Sequence, residues 1–384
     1  MVRLIENMRP GRPAFFRPQP VSKTHSPAVL EGEYMELKKK NLVFLGLVLI
    51  VLVAYVVWST GWNNILLLIQ QANGLWILGG VAMIVCYWLL EASILHSVVV
   101  CYCKSHRFGD TFATTMIGQL FNNLTPSATG GQPVQAYHMT KTGLPLGVAM
   151  GSLIVRFILY QIALTLYSAV VLILRWNYFS SLVSGFGYLV FVGFLINTAV
   201  MLFLLSVCFF RKFTHKIAVG LISLLAKIRI IKNKEKTIAY IEGELASFHE
   251  GFSMLHRHIG MMCSSMVLSL LQLTAFFLIP YFLFRAFHVT ALTPGLVVCA
   301  QAFVTMISSF VPLPGASGGA EYSFYTFFSP FCPDRGVVNL IMLLWRMITF
   351  YLPIGVGLCY FSSALHKIRH KEKAEPKPQG QRPA

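Results

Sequence analysis

Two short segments of this chain have nearly the same sequence. Residues 125–137 read TPSATGGQPVQAY, and residues 313–325 read LPGASGGAEYSFY. The identical pairs are Pro126/Pro314, Ala128/Ala316, Gly130/Gly318, Gly131/Gly319 and Tyr137/Tyr325, and Thr129 is matched by Ser317. We name these segments the first motif and the second motif. Each combines a proline with a Gly-Gly pair, so the fold must accommodate the same interruption twice.

The composition places both motifs in a membrane protein. The 384 residues are 56% hydrophobic and 12% charged, with a mean hydropathy of +0.66, whereas about a quarter of the residues of a soluble domain are charged. At membrane depth, interrupted backbone is tolerated only where it lines a cavity or is buried in protein. Two such interruptions in corresponding places are the best sequence indicator of a transporter's substrate site. We therefore expect function at the motifs.

Six apolar runs are long enough to cross the ~30 Å of membrane hydrocarbon. They lie at 42–58, 75–100, 147–174, 185–210, 259–284 and 337–363. Two shorter runs, 109–124 and 294–311, lead into the motifs and indicate re-entrant or broken helices. The predicted fold is an all-α polytopic membrane protein with about six full spans and two broken or re-entrant helical hairpins.

The net charge of +17 is explained by topology rather than by nucleic-acid binding. Of the 31 Lys and Arg residues, 26 lie in residues 1–41, 101–145, 211–258 and 364–384. Basic loops of membrane proteins stay on the cytoplasmic side. We therefore expect a multi-pass protein of the cell (plasma) membrane with both termini cytoplasmic, and no nucleic acid bound directly.

This orientation makes the two motifs face opposite sides of the membrane, which is typical of inverted-topology repeats. We predict repeat one at about 75–174 and repeat two at about 259–363, joined by a cytoplasmic amphipathic linker at 211–258. The alternative is chance recurrence of small-residue motifs, which are common in membrane helices.

The two ends of the chain are predicted to lie outside the transmembrane domain, which we place at 38–365. Residues 1–37 are expected to form a disordered basic extension, in which Met35 is an alternative start. Residues 366–384 are expected to form a basic cytoplasmic tail. The eight cysteines are scattered and give no metal-ligand spacing. We expect no metal site and no cofactor.

Each motif is predicted to break one helix and start another. Proline disfavours helix in the residue before it, hydroxyl side chains cap helices, and free N–H groups with a positive dipole end form an anion site. The predicted lipid-phosphate ligands from the motifs are Ser127, Thr129, Gly130, Gly131, Ser317, Gly318 and Gly319. The alternative is a tight helical turn that binds nothing.

Arg156 and Arg346 follow the motifs by about one helix and lie in apolar runs. An arginine inside a span usually marks a pathway or an ion pair. Glu91 is the predicted counter-ion of Arg156, and Glu321 that of Arg346. We expect the arginines to bind the lipid phosphate and the glutamates to face a cationic headgroup, and two purely structural ion pairs are the alternative.

Further polar residues near the first motif are candidates for the lining of a polar cavity. They are Asn122, Asn123, Gln132, Gln135 and Tyr137. Hydrogen bonds to the interrupted backbone are an equally good interpretation of these side chains. No residue is predicted to be catalytic.

The segments FNNLTPSATGGQPVQAY and VPLPGASGGAEY, with Arg156 in the helix after the first, resemble the membrane domain of the lysylphosphatidylglycerol synthase/flippase family. This family includes the multiple peptide resistance factor of bacteria, and the resemblance covers about 38–365. It implies a lipid translocase for an anionic or lysylated phospholipid such as lysyl-phosphatidylglycerol, with resistance to cationic antimicrobial peptides as the outcome.

The same resemblance implies an alternative activity. Full-length members carry a cytosolic domain that transfers lysine from lysyl-tRNA to phosphatidylglycerol, and residues 366–384 are too few for such a domain. A phosphatidylglycerol lysyltransferase activity, intrinsic or with a separate subunit, is therefore the second hypothesis. The expected partners are a phospholipid substrate and the membrane, with a separate aminoacyltransferase or envelope enzyme and a homo-oligomer as further candidates.

Overall fold

The computed structural model describes residues 46, 50, 54, 57–58, 61–182, 186–227, 258–309 and 311–374. These residues form helices joined by turns, and they contain no strand. The helices are α1 (Trp62–Gln71), α2 (Gly74–Tyr102), α3 (Phe108–Leu124), α4 (Gly131–Lys141), α5 (Leu146–Leu182), α6 (Phe186–Phe209), α7 (Arg211–Lys227), α8 (Ile259–Ala286), α9 (Pro294–Ser308), α10 (Gly319–Phe328), α11 (Arg335–Arg346) and α12 (Leu352–Ala374).

Four helical stretches are long and apolar enough to cross a membrane: Gly74–Tyr102, Leu146–Ser181, Ile259–Ala286 and Arg335–His366. They contain the predicted runs 75–100, 147–174, 259–284 and 337–363, so the all-helical fold is confirmed, and four of the six predicted spans are matched by helices of sufficient length and apolar character. The predicted run 185–210 corresponds to α6, whose apolar stretch Phe191–Phe203 is shorter. Most of run 42–58, the end of the linker, the N-terminal extension and the end of the tail lie outside the described residues.

The two shorter runs form short helices that end before the motifs. α3 has 17 residues and α9 has 15, which corresponds to roughly 26 and 22 Å at the helical rise of 1.5 Å per residue. After the motifs, α4 and α10 begin at Gly131 and Gly319, the second glycine of each Gly-Gly pair. The predicted break and restart is confirmed in both copies.

α2 and α8 pack against each other over most of their length. A Cβ atom at Gly79 would overlap the ring of Phe282, so the glycine allows this close contact. Around the pair lies the main core, whose aromatic part includes Phe284, Phe324 and Trp345. This core joins the helices before and after the second motif. The motif is therefore held on rigid elements.

A π-helical turn, Met347–Tyr351, connects α11 to α12 directly after Arg346. Pro353 follows in the sequence. A proline inside a helix removes one backbone donor, and a π-bulge is one way in which a helix accommodates such a change. The turn shifts the faces of α12 relative to α11 just beyond the second arginine.

Candidate functional site

The two motifs contact each other through their prolines. Pro126 and Pro314 form an isolated antiparallel bridge between the segment that follows α3 and the segment that follows α9. The residues are far apart in sequence but equivalent in the alignment of the two motifs. The structure therefore places the duplicated breaks at one location.

The motifs also share their backbone conformation. Ser127 and Gly315 have φ angles of +51° and +59°, and Ala128 and Ala316 both have +54°. Left-handed conformations are uncommon for residues other than glycine, so three such residues in two equivalent turns mark a backbone that the surroundings impose. The sequence similarity thus extends to a shared geometry.

The hydroxyl groups of the motifs close these turns. Thr129 Oγ1 donates to the carbonyl of Pro126 over 3.0 Å, and Ser317 Oγ donates to the carbonyl of Pro314 over 2.8 Å. The N-cap residues of α4 and α10 are Gly130 and Gly318 instead. The prediction that the hydroxyls cap the new helices is therefore wrong, because they donate to the carbonyls of the preceding prolines. Ser127 is exposed at the tip of the first motif.

The backbone N–H of the first glycine finds a different acceptor in each copy. Gly130 donates to Thr125 Oγ1 over 2.8 Å, and Gly318 donates to Glu321 Oε2 over 2.7 Å. In the alignment Thr125 corresponds to Leu313, which has no side-chain acceptor, and Glu321 corresponds to Pro133. One donor is satisfied by a residue before the glycines and the other by a residue after them.

The second glycine of each pair lies in close contact with residues that precede the motif. A Cβ atom at Gly131 would overlap Asn122 Oδ1 and would lie 2.8 Å from the carbonyl oxygen of Gly118. A Cβ atom at Gly319 would overlap the side chain of Val311. The second glycine of each pair therefore leaves room for neighbouring atoms that a larger residue would displace.

Arg156 and Glu91 form a buried ion pair between α5 and α2. Arg156 Nη1 lies 2.5 Å from Glu91 Oε1, and their side chains are 9% and 3% exposed. Gln119 of α3 donates its Nε2 to Glu91 Oε2 over 2.6 Å. The predicted counter-ion is confirmed, and both carboxylate oxygens have partners.

Two tyrosines complete the polar cluster around Glu91. Tyr87 lies close to Gln119 and Glu91, and Tyr160 lies close to Glu91 and Arg156. Tyr87 lies one turn before Glu91 on α2, and Tyr160 one turn after Arg156 on α5. Sequence analysis missed these two residues and Gln119. The spacing of four residues on a helix, which puts side chains on one face, was the available signal.

Arg346 and Glu321 form the second ion pair. Arg346 Nε donates to Glu321 Oε1 over 2.6 Å, and Arg346 Nη1 donates to the carbonyl of Gly315 over 3.0 Å. The guanidinium carbon lies 5.3 Å from the ring centroids of Trp345 and Phe350, within the range of cation–π attraction. This predicted pair is also confirmed. It fastens α11 to the turn of the second motif.

Each arginine keeps a buried N–H group that has no hydrogen-bond partner among the described residues. The groups are Nε of Arg156 and Nη2 of Arg346. The residues are 8% and 4% exposed. A buried donor without a partner costs free energy, so each guanidinium retains capacity for a further acceptor.

The two motifs differ in exposure. In the first, the four residues Pro126 to Thr129 are exposed, whereas Pro314 and Ser317 of the second are buried. Only the second motif contains a charged residue, Glu321, which lies in the first turn of α10. The copies share a backbone but present different surfaces.

The other predicted polar residues do not form one group. Gln135 is buried and donates to the carbonyl of Thr114 over 3.3 Å, whereas Tyr137 is exposed and lies beneath the ammonium of Lys141. Asn122, Asn123 and Gln132 are half-buried. Within the described ranges, no group of three or more His, Cys, Asp or Glu side chains is arranged to hold a metal ion.

Comparison with known proteins gives a family match and three relatives. The model of the family described as "Lysylphosphatidylglycerol synthase TM region" matches residues 43–357. A UPF0104 membrane protein of Archaeoglobus fulgidus is 26% identical over 312 residues, which cover 78% of this chain and 89% of the relative. A UPF0104 membrane protein of Pyrococcus horikoshii is 24% identical over 331 residues, with 84% and 96% coverage.

A third UPF0104 membrane protein, from Methanocaldococcus jannaschii, is 23% identical over 273 residues and covers 66% of this chain and 74% of its own length. All three names describe membrane proteins, in agreement with the four apolar helices. None of the names states an activity.

Proposed function

Because the chain belongs to the lysylphosphatidylglycerol synthase transmembrane family, we propose that it is a lipid translocase. Its substrate is an anionic or lysylated phospholipid such as lysyl-phosphatidylglycerol, which it moves between the leaflets of the cell membrane. Resistance to cationic antimicrobial peptides would follow, because a cationic lipid in the outer leaflet repels them.

The main support for this proposal is that two buried arginines each have an N–H group without a hydrogen-bond partner among the described residues. Arg156 and Arg346 are each neutralised by one glutamate, and each keeps one buried N–H without a partner among the described residues. A guanidinium has five donors and binds phosphate oxygens well. A lipid phosphate that accepts from the free N–H would remove the cost of the unsatisfied group.

The order of elements supports two inverted repeats. A long helix, a short helix, a motif, a short helix and a long helix follow one another in α2 to α5, and the same order occurs from α8 to α12. The bridge between Pro126 and Pro314 lies where the two halves meet. Transporters of this build bind substrate at the repeat interface, near the middle of the membrane. We place both termini in the cytoplasm in this arrangement.

Glu91 and Glu321 complete the proposed headgroup site. In the absence of lipid, each is paired with its arginine. When a phosphate takes over part of the arginine's charge, the glutamate is available to a cationic headgroup such as a lysyl ammonium. A separate aminoacyltransferase or envelope enzyme would supply or use the lipid.

Leaflet-resolved transport in liposomes tests the proposal. The purified full chain is reconstituted with fluorescent phosphatidylglycerol or lysyl-phosphatidylglycerol, and the fraction accessible to a membrane-impermeant reductant is followed in time. We expect movement with the wild type and a loss of about tenfold or more with Arg156→Gln or Arg346→Gln, since each removes a charge-assisted hydrogen bond. Arg335→Gln is the matched control, because Arg335 lies exposed on the same helix as Arg346.

Lipid mass spectrometry separates transport from synthesis. In a host without lipid aminoacylation, the proposal predicts no new lipid when the chain is expressed. Lysyl-phosphatidylglycerol that appears only with the chain would instead establish lysyltransferase activity. Wild-type transport by both arginine variants would refute the arginine site.

A further inference from the structure

Two apolar grooves follow one another along α2 and the α11–α12 stretch. The first encloses about 480 Å³ and is lined by residues that include Ile65, Ile77, Leu340 and Leu344. The second encloses about 530 Å³ and is lined by Val81, Met347, Tyr351, Gly355 and Cys359, among others. Both volumes fall in the range of small-molecule sites.

The grooves are lined by neighbouring turns of the same helices. Along α2 the lining residues proceed from Ile77 in the first groove to Val81 in the second, and along α11–α12 from Leu344 to Met347. From Leu340 to Cys359 there are 19 residue steps, or about 28 Å at the helical rise.

One polar side chain of the groove lining lies near the second ion pair. Tyr351 lines the second groove, and its ring packs against that of Phe350, whose centroid lies 5.3 Å from the guanidinium carbon of Arg346. It belongs to the π-helical turn that directly follows Arg346. The lining of both grooves is therefore almost entirely apolar, and its tyrosine lies beside the residue that packs on Arg346, the proposed phosphate ligand.

We propose that the two grooves form one binding site for an acyl chain of the transported phospholipid. The phosphate of the same lipid then lies near Tyr351 and the Arg346–Glu321 pair. The charge of Arg346 suits the phosphate of such a lipid, and the apolar lining suits its hydrocarbon. The inference rests on the proposed function in that it takes the occupant to be the transported lipid.

Gly355 allows a direct test. It is exposed, it lines the second groove, and a Cβ atom there would meet nothing within 4 Å. A leucine at this position would fill the groove without displacing the core. Gly260 of α8 is the matched control, because it is also exposed in a helix with nothing within 4 Å of a Cβ atom, and it does not line either groove.

The probe is phosphatidylglycerol with a diazirine on its acyl chain, reconstituted with the purified full chain. After illumination, mass spectrometry of the peptides locates the adducts. We expect adducts on residues 347–359 in the wild type and in Gly260→Leu. In Gly355→Leu we expect about tenfold fewer, because each methylene that loses its apolar contact weakens binding several-fold.

Transport measured on the same liposomes distinguishes this inference from the proposed function. Slower transport by Gly355→Leu together with lost adducts supports both. Unchanged adducts in Gly355→Leu overturn the acyl site, whatever the transport result. Adducts on residues 347–359 in a wild type that moves no lipid would keep the acyl site and refute the translocase.

Coverage of the same face by a second copy of the chain is the competing outcome. Cys359 lines the second groove and is exposed, and Cys263 is exposed elsewhere. In a Cys263→Ser background, oxidation with copper phenanthroline should leave the chain monomeric on a non-reducing gel. A disulfide-linked dimer that disappears in Cys359→Ala would show that protein, not lipid, occupies this face, and would overturn the inference.

Discussion

Thr125 and Glu321 each accept the N–H of the first glycine in their motif, although the two residues are not at equivalent positions. Thr125 Oγ1 accepts the N–H of Gly130 from before the Gly-Gly pair, and Glu321 Oε2 accepts the N–H of Gly318 from after it. A backbone donor at a helix start needs an acceptor, particularly where water is excluded. The duplicated turn therefore keeps its hydrogen bond even though the residues that provide it differ.

The two roles of Glu321 should separate by substitution. Glu321→Gln keeps an acceptor for Gly318 but loses the charge that Arg346 needs, whereas Glu321→Ala loses both. Loss of one partner of a buried ion pair costs about 3–5 kcal/mol, and loss of the cap adds about 1 kcal/mol. Thermal unfolding of the purified protein in detergent measures both. Equal stability of the two variants would contradict the capping role.

Thr125→Val should destabilise the first motif, because it leaves the N–H of Gly130 without its acceptor. The expected loss in unfolding free energy is about 1–3 kcal/mol. Thr125→Ser keeps the hydroxyl and should lose much less. Thr140→Val is the control, because that hydroxyl only donates to the carbonyl of Tyr137. A Thr125→Ser variant as unstable as Thr125→Val would point to the methyl group instead.

The pair of Glu91 and Arg156 should show strong energetic coupling. Arg156→Gln leaves the carboxylate buried and should cost about 3–5 kcal/mol. In the double variant Glu91→Gln/Arg156→Gln no charge remains, so we expect about 1–3 kcal/mol less destabilisation than the sum of the single changes. A double-mutant cycle in chemical unfolding gives this number. Additive single effects would mean that the charges do not interact.

Ala316→Gly should stabilise the second motif. Ala316 has a φ of +54°, and a left-handed conformation costs a residue with a side chain roughly 1–2 kcal/mol. Glycine avoids this cost, although its unfolded chain is more flexible, so a net gain of about 0.5–1 kcal/mol is expected. Ala320→Gly, inside α10, should have the opposite sign. The apparent melting temperature distinguishes the two.

Gly118→Ala should disturb the contact between α3 and α4. A Cβ atom there would overlap the side chain of Gln135, which provides its three nearest atoms. Overpacking of this kind costs about 1–3 kcal/mol. Truncation of the neighbour in Gly118→Ala/Gln135→Ala should recover part of the loss, as measured by thermal unfolding. A double variant less stable than either single one would show that the contact is not the cause.

Several parts of the fold were predictable because their causes are local. Proline and the Gly-Gly pair break a helix wherever they occur, so the ends of α3 and the starts of α4 and α10 followed from residues such as Pro126 and Gly319. The partners of the two arginines were predictable for another reason. Acidic residues are so rare in the apolar spans that each arginine had one nearby candidate.

Other parts depended on contacts between residues far apart in the chain. Glu91 is surrounded by Tyr87, Gln119 and Tyr160, which come from α2, α3 and α5 and meet only in the folded protein. The caps were mispredicted because a hydroxyl can donate to the preceding carbonyl as well as accept from the next N–H. Local sequence does not decide between these options.

The sequence by itself determined that this is a helical membrane protein with two interrupted helices and two arginines that require acidic partners. Hydrophobicity, proline and buried charge act through properties that each residue carries with it. Only the tertiary structure decided that Pro126 meets Pro314, that Thr125 and Glu321 accept corresponding N–H groups, and that Tyr351 lines an apolar groove beside Phe350 and Arg346. These relationships depend on how the helices pack, because packing sets which distant atoms come within a few ångströms of each other.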